Sequence, residues 1–256
     1  MSVQIAMYYT FLAAVCLYLL GMVSTVFKNR TLAEVIFAAG IICNGVSIGL
    51  RGWMYLPLLP LHQGPFFLPF FTGVLGYKFN CSASDRLPLF IFVAFTATAA
   101  SLFPNDFYLP FLQFKTIFAH GFFLLGVIGK ALFLLAGVRA FQMLLIKDKS
   151  NKRIQQHHLK LLSLTILWGF FFWTLSVFSG AVWAWLGWGS PVVWDDPLMA
   201  TTMATWLLYA LLLHLHLTWF STFSARAWFA LGGAVFLFCF TCIPELGPFR
   251  IPGLLS

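Results

Sequence analysis

The sequence predicts an all-α protein, a polytopic transmembrane bundle of about eight helices forming a single integral membrane domain over residues 1–256. Three observations carry this reading. Hydrophobic residues make up 61% of the 256 positions and charged residues only 9%, whereas a water-facing globule needs roughly a quarter of its residues charged. Apolar stretches approaching the ~20 residues that cross a bilayer recur along the chain. Within them polar and apolar residues do not alternate with period two, which argues against a membrane β-barrel. The same composition excludes a soluble enzyme, a disordered chain and a secreted disulfide scaffold. The net charge of +8 needs no nucleic acid, because membrane proteins collect Lys and Arg in the loops of one side.

The spans read, in order, from Ile5 to Phe27, Leu32 to Leu50, Phe66 to Tyr77, Leu87 to Phe103, Ile117 to Ile146, Leu161 to Leu186, Leu198 to Phe220 and Ala227 to Ile243. The first has no basic residue before its apolar run and no small-residue cleavage site after it, so it reads as a helix rather than a signal peptide. The third is short and starts among Pro65 and Pro69. One set of loops holds Lys28, Arg30, Lys78, Arg86, Lys147, Lys149, Lys152, Arg153, Lys160 and Arg226. The other holds only Arg51, Lys115 and Arg250. The positive-inside rule puts the first set in the cytoplasm and both termini on the outer side of the inner (plasma) membrane. Lys147–Lys160 reads as an inner-face loop. Cys239 and Cys242 form Cys-x-x-Cys near the outer end of the last span; with no sign of a lowered thiol pKa, packing is the simpler reading.

Signatures of soluble catalysis are missing. Gly126–Lys130 reads Gly-Val-Ile-Gly-Lys inside a span and is no phosphate loop; there is no Gly-x-Ser-x-Gly and no His-Glu-x-x-His. Seven acidic residues, of which only Glu34 lies in a span, leave little for carboxylate chemistry. An interior without buried charge is the expectation, which counts against ion-coupled pumps and permeases.

Histidine and tryptophan remain. His157 and His158 lie in the basic inner loop, His62 in an outer loop, and His120 at the outer end of the fifth span. His214 lies about 24 Å along the seventh span, where a polar side chain is a functional candidate. His216, two residues on, points the other way. The phase of Met203, Leu207 and Ala210 predicts that His214 faces the bundle interior. Trp183, Trp185, Trp188 and Trp194 fall within twelve residues, read as a flat aromatic platform in an outer loop. A planar apolar ligand suits it. Haem, with axial histidine and propionates that a cation such as Arg51, Lys115 or Arg250 can pair, fits better than an ion or a sugar; quinone is the rival flat ligand.

Gly180, Ala181, Trp183, Ala184, Trp188, Gly189, Trp194 and Asp195 resemble the tryptophan-rich (WWD) signature of the haem-handling cytochrome c assembly proteins. Trp206 and His214, eight residues apart, keep the family's downstream spacing. Pro110, Leu112, Gln113 and His120 resemble its upstream helix start. The likeness covers about residues 50–230, and eight spans suit the CcsA/ResC branch of system II better than CcmC. The resemblance implies transport of haem b to the outer face and its ligation to the Cys-x-x-Cys-His of apocytochrome c, with a CcsB/ResB-type membrane subunit, as the haem-handling part of a holocytochrome c synthase (haem lyase). It implies His120 as an outer axial ligand, His214 as the transit-site ligand, and Trp183, Trp188, Gly189, Trp194 and Asp195 as a haem-binding loop.

The chain departs from the family pattern in four places. Val192 replaces a tryptophan, Asp196 is an added acid, the acidic residue usual shortly after Pro197 is missing, and the tail from Pro244 has no histidine where the family places a second outer ligand. Either His62 substitutes, or the outer site is five-coordinate, or haem binding is weakened in a member with a changed role. The alternatives to haem transport are a membrane scaffold or regulator of the same fold that binds no haem, and a quinone-reactive subunit.

Overall fold

The structure is a computed structural model that describes residues 3–27, 29–55, 64–79, 86–102, 116–145, 152–192, 197–217 and 222–246. The described residues are helical almost throughout: α1 (Val3–Val26), α2 (Arg30–Tyr55), α3 (Gly64–Phe79), α4 (Leu87–Leu102), α5 (Ile117–Leu145), α6 (Lys152–Trp188), α7 (Pro197–Leu217) and α8 (Phe223–Leu237). A single π-turn, Phe238–Cys242, and the short α9, Ile243–Leu246, continue α8. Eight apolar segments thus become eight helices, as the sequence predicts. Five are long and apolar enough to cross a membrane; α3 and α4, at 16 residues each, fall short of the roughly 20 a full crossing needs.

The helix ends follow from local chemistry. Asn29 Oδ1 accepts the amide of Leu32 at the start of α2 (3.3 Å), and Thr222 Oγ1 accepts that of Ala225 at the start of α8 (3.3 Å). Each satisfies a first-turn amide that has no partner within its own helix. Pro65 sits in the first turn of α3, where its missing N–H costs nothing.

The chain forms two compact units. The first holds α1–α4 and the segment from Glu245. Phe37 of α2 stacks on Phe90 of α4, centroids 4.0 Å apart, and tilts against Tyr18 of α1 at 5.1 Å. Ser47 Oγ donates to the Met7 carbonyl (2.9 Å). At the other end Arg86 pairs with Glu34 at 2.7 Å and covers the Tyr77 ring at 4.8 Å. Gly64 leaves room for Glu245, whose Oε2 would lie 2.9 Å from a Cβ there.

The second unit, residues 112–244, is built round α5, which packs against α6 and α8 and is buried on most sides. Small residues allow close approach, as is usual where helices meet in lipid. A Cβ on Gly129 would meet the Trp173 backbone at 3.1 Å, and one on Gly169 the Phe133 ring at 2.7 Å. One sequence expectation fails here. Lys152–Lys160 is no loop but the first turns of the 37-residue α6. Lys, Gln and Leu are good helix formers, and hydropathy reports depth in the membrane rather than helicity.

Candidate functional site

α5 and α6 run antiparallel. Ser179 Oγ donates to the Phe118 carbonyl (2.8 Å) and Ser176 Oγ to that of Phe122 (2.6 Å). The start of α5 and the end of α6 therefore share one end of the second unit. Trp183 is buried there, its ring 6.2 Å from Phe122 at 29° and 5.5 Å from Trp188 at 71°.

The aromatic shelf expected from the sequence is corrected in two ways. Trp183, Trp185 and Trp188 lie in the last turns of α6, not in a loop. Trp183 and Trp188 meet edge to face, so they form a corner rather than a flat platform, and Trp185 is exposed. α6 ends at Gly189, whose φ of +70° is left-handed and whose N–H donates to the Trp185 carbonyl at 2.9 Å. That is the glycine-terminated helix end, open to a residue without a Cβ.

His120 lies in the first turns of α5, level with Ser179. Its Nδ1 is 3.0 Å from the Thr116 carbonyl. A carbonyl can only accept, so this bond puts the proton on Nδ1 and leaves the Nε2 lone pair available. Nε2 is buried and has no hydrogen-bond partner among the described residues; neither does Thr116 Oγ1, one turn earlier. His120 is two residues from both Phe118 and Phe122, about 200° round the helix, so it leaves α5 on a different face from the one against α6.

His214 repeats the device. Its Nδ1 is 2.8 Å from the Ala210 carbonyl. Its ring, however, is exposed with Leu207 and Leu211, which corrects the expected inward stripe. Trp173 Nε1 donates to the Thr202 carbonyl (3.4 Å), and Tyr209 stacks on Phe133. These contacts turn Thr202, Thr205, Tyr209 and Leu212 inward. The heptad phase shows which residues share a face, not which face is buried. Trp206 ties α7 to α6 through a 3.0 Å bond from Nε1 to Thr174 Oγ1. Counted through Phe133 and Tyr209, His120 and His214 stand about 27 Å apart along the helix axes, close to the ~30 Å hydrocarbon thickness.

The expectation of an uncharged interior is overturned. Lys130 is 8% exposed, Arg139 5% and Arg51 3%. Arg51, expected at a loop edge, lies within α2 with its guanidinium 3.8 Å over the Phe66 ring. Lys130 lies 5.8 Å from the Trp173 ring centroid. Two cations inside one apolar 29-residue span were the available signal for this interior charge, and helix phase alone does not distinguish a buried cation from one reaching the interface. Cys239 is exposed and Cys242 buried, so the pair does not present two accessible thiols. His62, Lys115, Trp194, Asp195 and Arg250 lie outside the described residues.

A family model described as Cytochrome C assembly protein matches residues 5–243, nearly the whole chain, from α1 through α8. This chain belongs to the cytochrome c assembly protein family. The comparison with curated proteins gives no match. Family membership supports a role in c-type cytochrome biogenesis and agrees with the membrane character of the helices. Within this assembly protein, Trp183, Trp188 and His120 occupy one end of the α5–α6 pair and His214 the other end of the second unit.

Proposed function

We propose that this cytochrome c assembly protein carries haem through the inner membrane and presents it at the outer face for ligation to apocytochrome c. The observation that carries the reading is the state of His120, whose backbone tether frees a buried Nε2 with no partner among the described residues. Among the described residues no cluster of three or more His, Cys, Asp or Glu gathers to hold a bare ion. Single imidazoles suit a metal already held by a macrocycle, as iron is in haem. Trp183 and Trp188 supply apolar ring surface at the same end. His214 offers a second imidazole about 27 Å away, too far to share one iron, so the two histidines serve successive positions. Exposed within the lipid-facing surface, His214 suits a site completed by a CcsB/ResB-type subunit. Positive-inside orientation puts the end that holds His120, Trp183 and Trp188 outside. The protein's contribution is placement: axial ligation and an apolar corner hold the vinyl groups beside the Cys-x-x-Cys-His thiols.

The test is the absorption spectrum of the purified protein, with its partner subunit where co-expressed. The expected result is a Soret band that is lost or shifted in His120→Ala and, separately, in His214→Ala. Folded wild-type protein without haem under these conditions overturns the reading in favour of the scaffold.

A further inference from the structure

Thr116 stands immediately before Ile117, the first residue of α5. Thr222 holds the same place before α8, and its hydroxyl accepts the Ala225 amide there. Thr116 does not cap its helix in this way. The Ala119 amide bonds the Thr116 carbonyl instead (3.1 Å). The Thr116 hydroxyl is buried and has no hydrogen-bond partner among the described residues. A threonine at a helix start ordinarily stabilises it by accepting a first-turn amide. Here that gain is forgone, and a buried hydroxyl left unpaired is costly besides.

What stands beside this hydroxyl gives it a use. Residues four apart share a helix face, with Cβ atoms about 5–6 Å from each other. Thr116 and His120 therefore leave α5 on one face, a turn apart. Helical side chains lean toward the start of their helix, and the 3.0 Å contact between His120 Nδ1 and the Thr116 carbonyl places the imidazole over the Thr116 turn. The Nε2 of His120 is the second buried atom here without a partner among the described residues. One atom offers a lone pair and the other a proton to donate. A ligand that carries a metal and, within reach of it, an oxygen acceptor satisfies both.

We infer that Thr116 is a specificity residue of the haem site at this end of α5, its hydroxyl donating to one haem propionate while His120 takes the iron. This rests on the haem reading above and adds to it the group that orients the porphyrin. An axial bond alone leaves the ring free to turn about the iron–Nε2 axis. The two propionates share one edge of the ring, and each hangs on two methylenes that let it fold back toward the axial ligand. Holding one of them stops the turn and so sets where the vinyl groups point.

The experiment titrates the full-length protein in detergent with haemin and with haemin dimethyl ester, which lacks the carboxylate charges, and follows the Soret band. Thr116→Val deletes the hydroxyl at nearly constant shape and keeps the backbone carbonyl that tethers His120. It is expected to weaken haemin binding roughly tenfold and ester binding less, because a bond to a charged acceptor is the stronger. The Soret maximum is expected to stay at its wild-type position, since the axial ligand is untouched. Thr116→Ala, a second deletion, repeats the loss, and Thr116→Ser keeps wild-type affinity for both porphyrins. Unchanged haemin affinity in the two deletions overturns the assignment. So does an equal loss of haemin and ester, or a shifted Soret maximum, either of which marks a structural role. In each of these cases haem binding itself stands. Wild-type protein that binds neither porphyrin overturns the haem reading, and the role of Thr116 with it.

Discussion

The ring of Phe133 lies flat on that of Tyr209, with centroids 3.4 Å apart and planes 12° apart. The stack sets the register of α5 against α7, and so the depth of His214 relative to His120. The Tyr209 hydroxyl is buried and has no hydrogen-bond partner among the described residues. A polar group in that state contributes nothing and costs its desolvation. Tyr209→Phe, which keeps the stack, is therefore expected to be neutral or to raise the thermal midpoint in detergent. Tyr209→Ala is expected to cost about 3–5 kcal/mol.

His120→Gly removes the imidazole and leaves space where it stood. The protein is expected to lose its Soret band and to regain it when free imidazole is added. An unchanged spectrum in His120→Gly would show that the iron is held elsewhere.

Contact glycines on α5 differ from open ones. A Cβ on Gly129 meets the Trp173 backbone, which has no rotamer to move, while Gly232 has nothing within 4 Å. Gly129→Val is expected to destabilise by about 1–3 kcal/mol. Gly232→Ala is expected to be neutral or to stabilise by about 0.5–1 kcal/mol, since alanine favours the helix. Thermal unfolding of both variants in one detergent checks the contrast.

Gly189 tests backbone conformation without crowding. It has open space around it but a φ of +70°. Gly189→Ala is expected to cost about 1–2 kcal/mol, and Gly189→Asn less, because asparagine tolerates the left-handed region. Limited proteolysis after Trp188 is the sensitive measurement, since fraying of this helix end exposes the bond.

The spans were legible because hydropathy reports directly on burial in lipid. Six of the eight apolar segments match helix limits to within a few residues; the exceptions are the end of α2, which runs on past Arg51 to Tyr55, and the polar onset of α6 at Lys152. The tryptophan cluster and both histidines were legible as types and spacings. Their settings were not. Whether Trp188 belongs to helix or loop depends on where Gly189 turns, and whether His214 faces in or out depends on which ring of α7 meets Phe133. Lys130 was visible as a letter in an apolar run, yet its burial comes from α6 and α8 packing round α5, which no local pattern records.

The π-turn at Phe238–Cys242 acts on rotation rather than on position. The amide of Ile243 bonds the Phe238 carbonyl, five residues back, so the helix holds one residue more than a regular turn would. Pro244, which has no amide to donate, follows at once. Removing one residue from this turn would restore the ordinary pitch and swing the inward pair Thr241 and Cys242 by about 100°. The added residue is a vernier, setting the azimuth of the last turn of α8 without disturbing the contact that Ala234 makes two turns below.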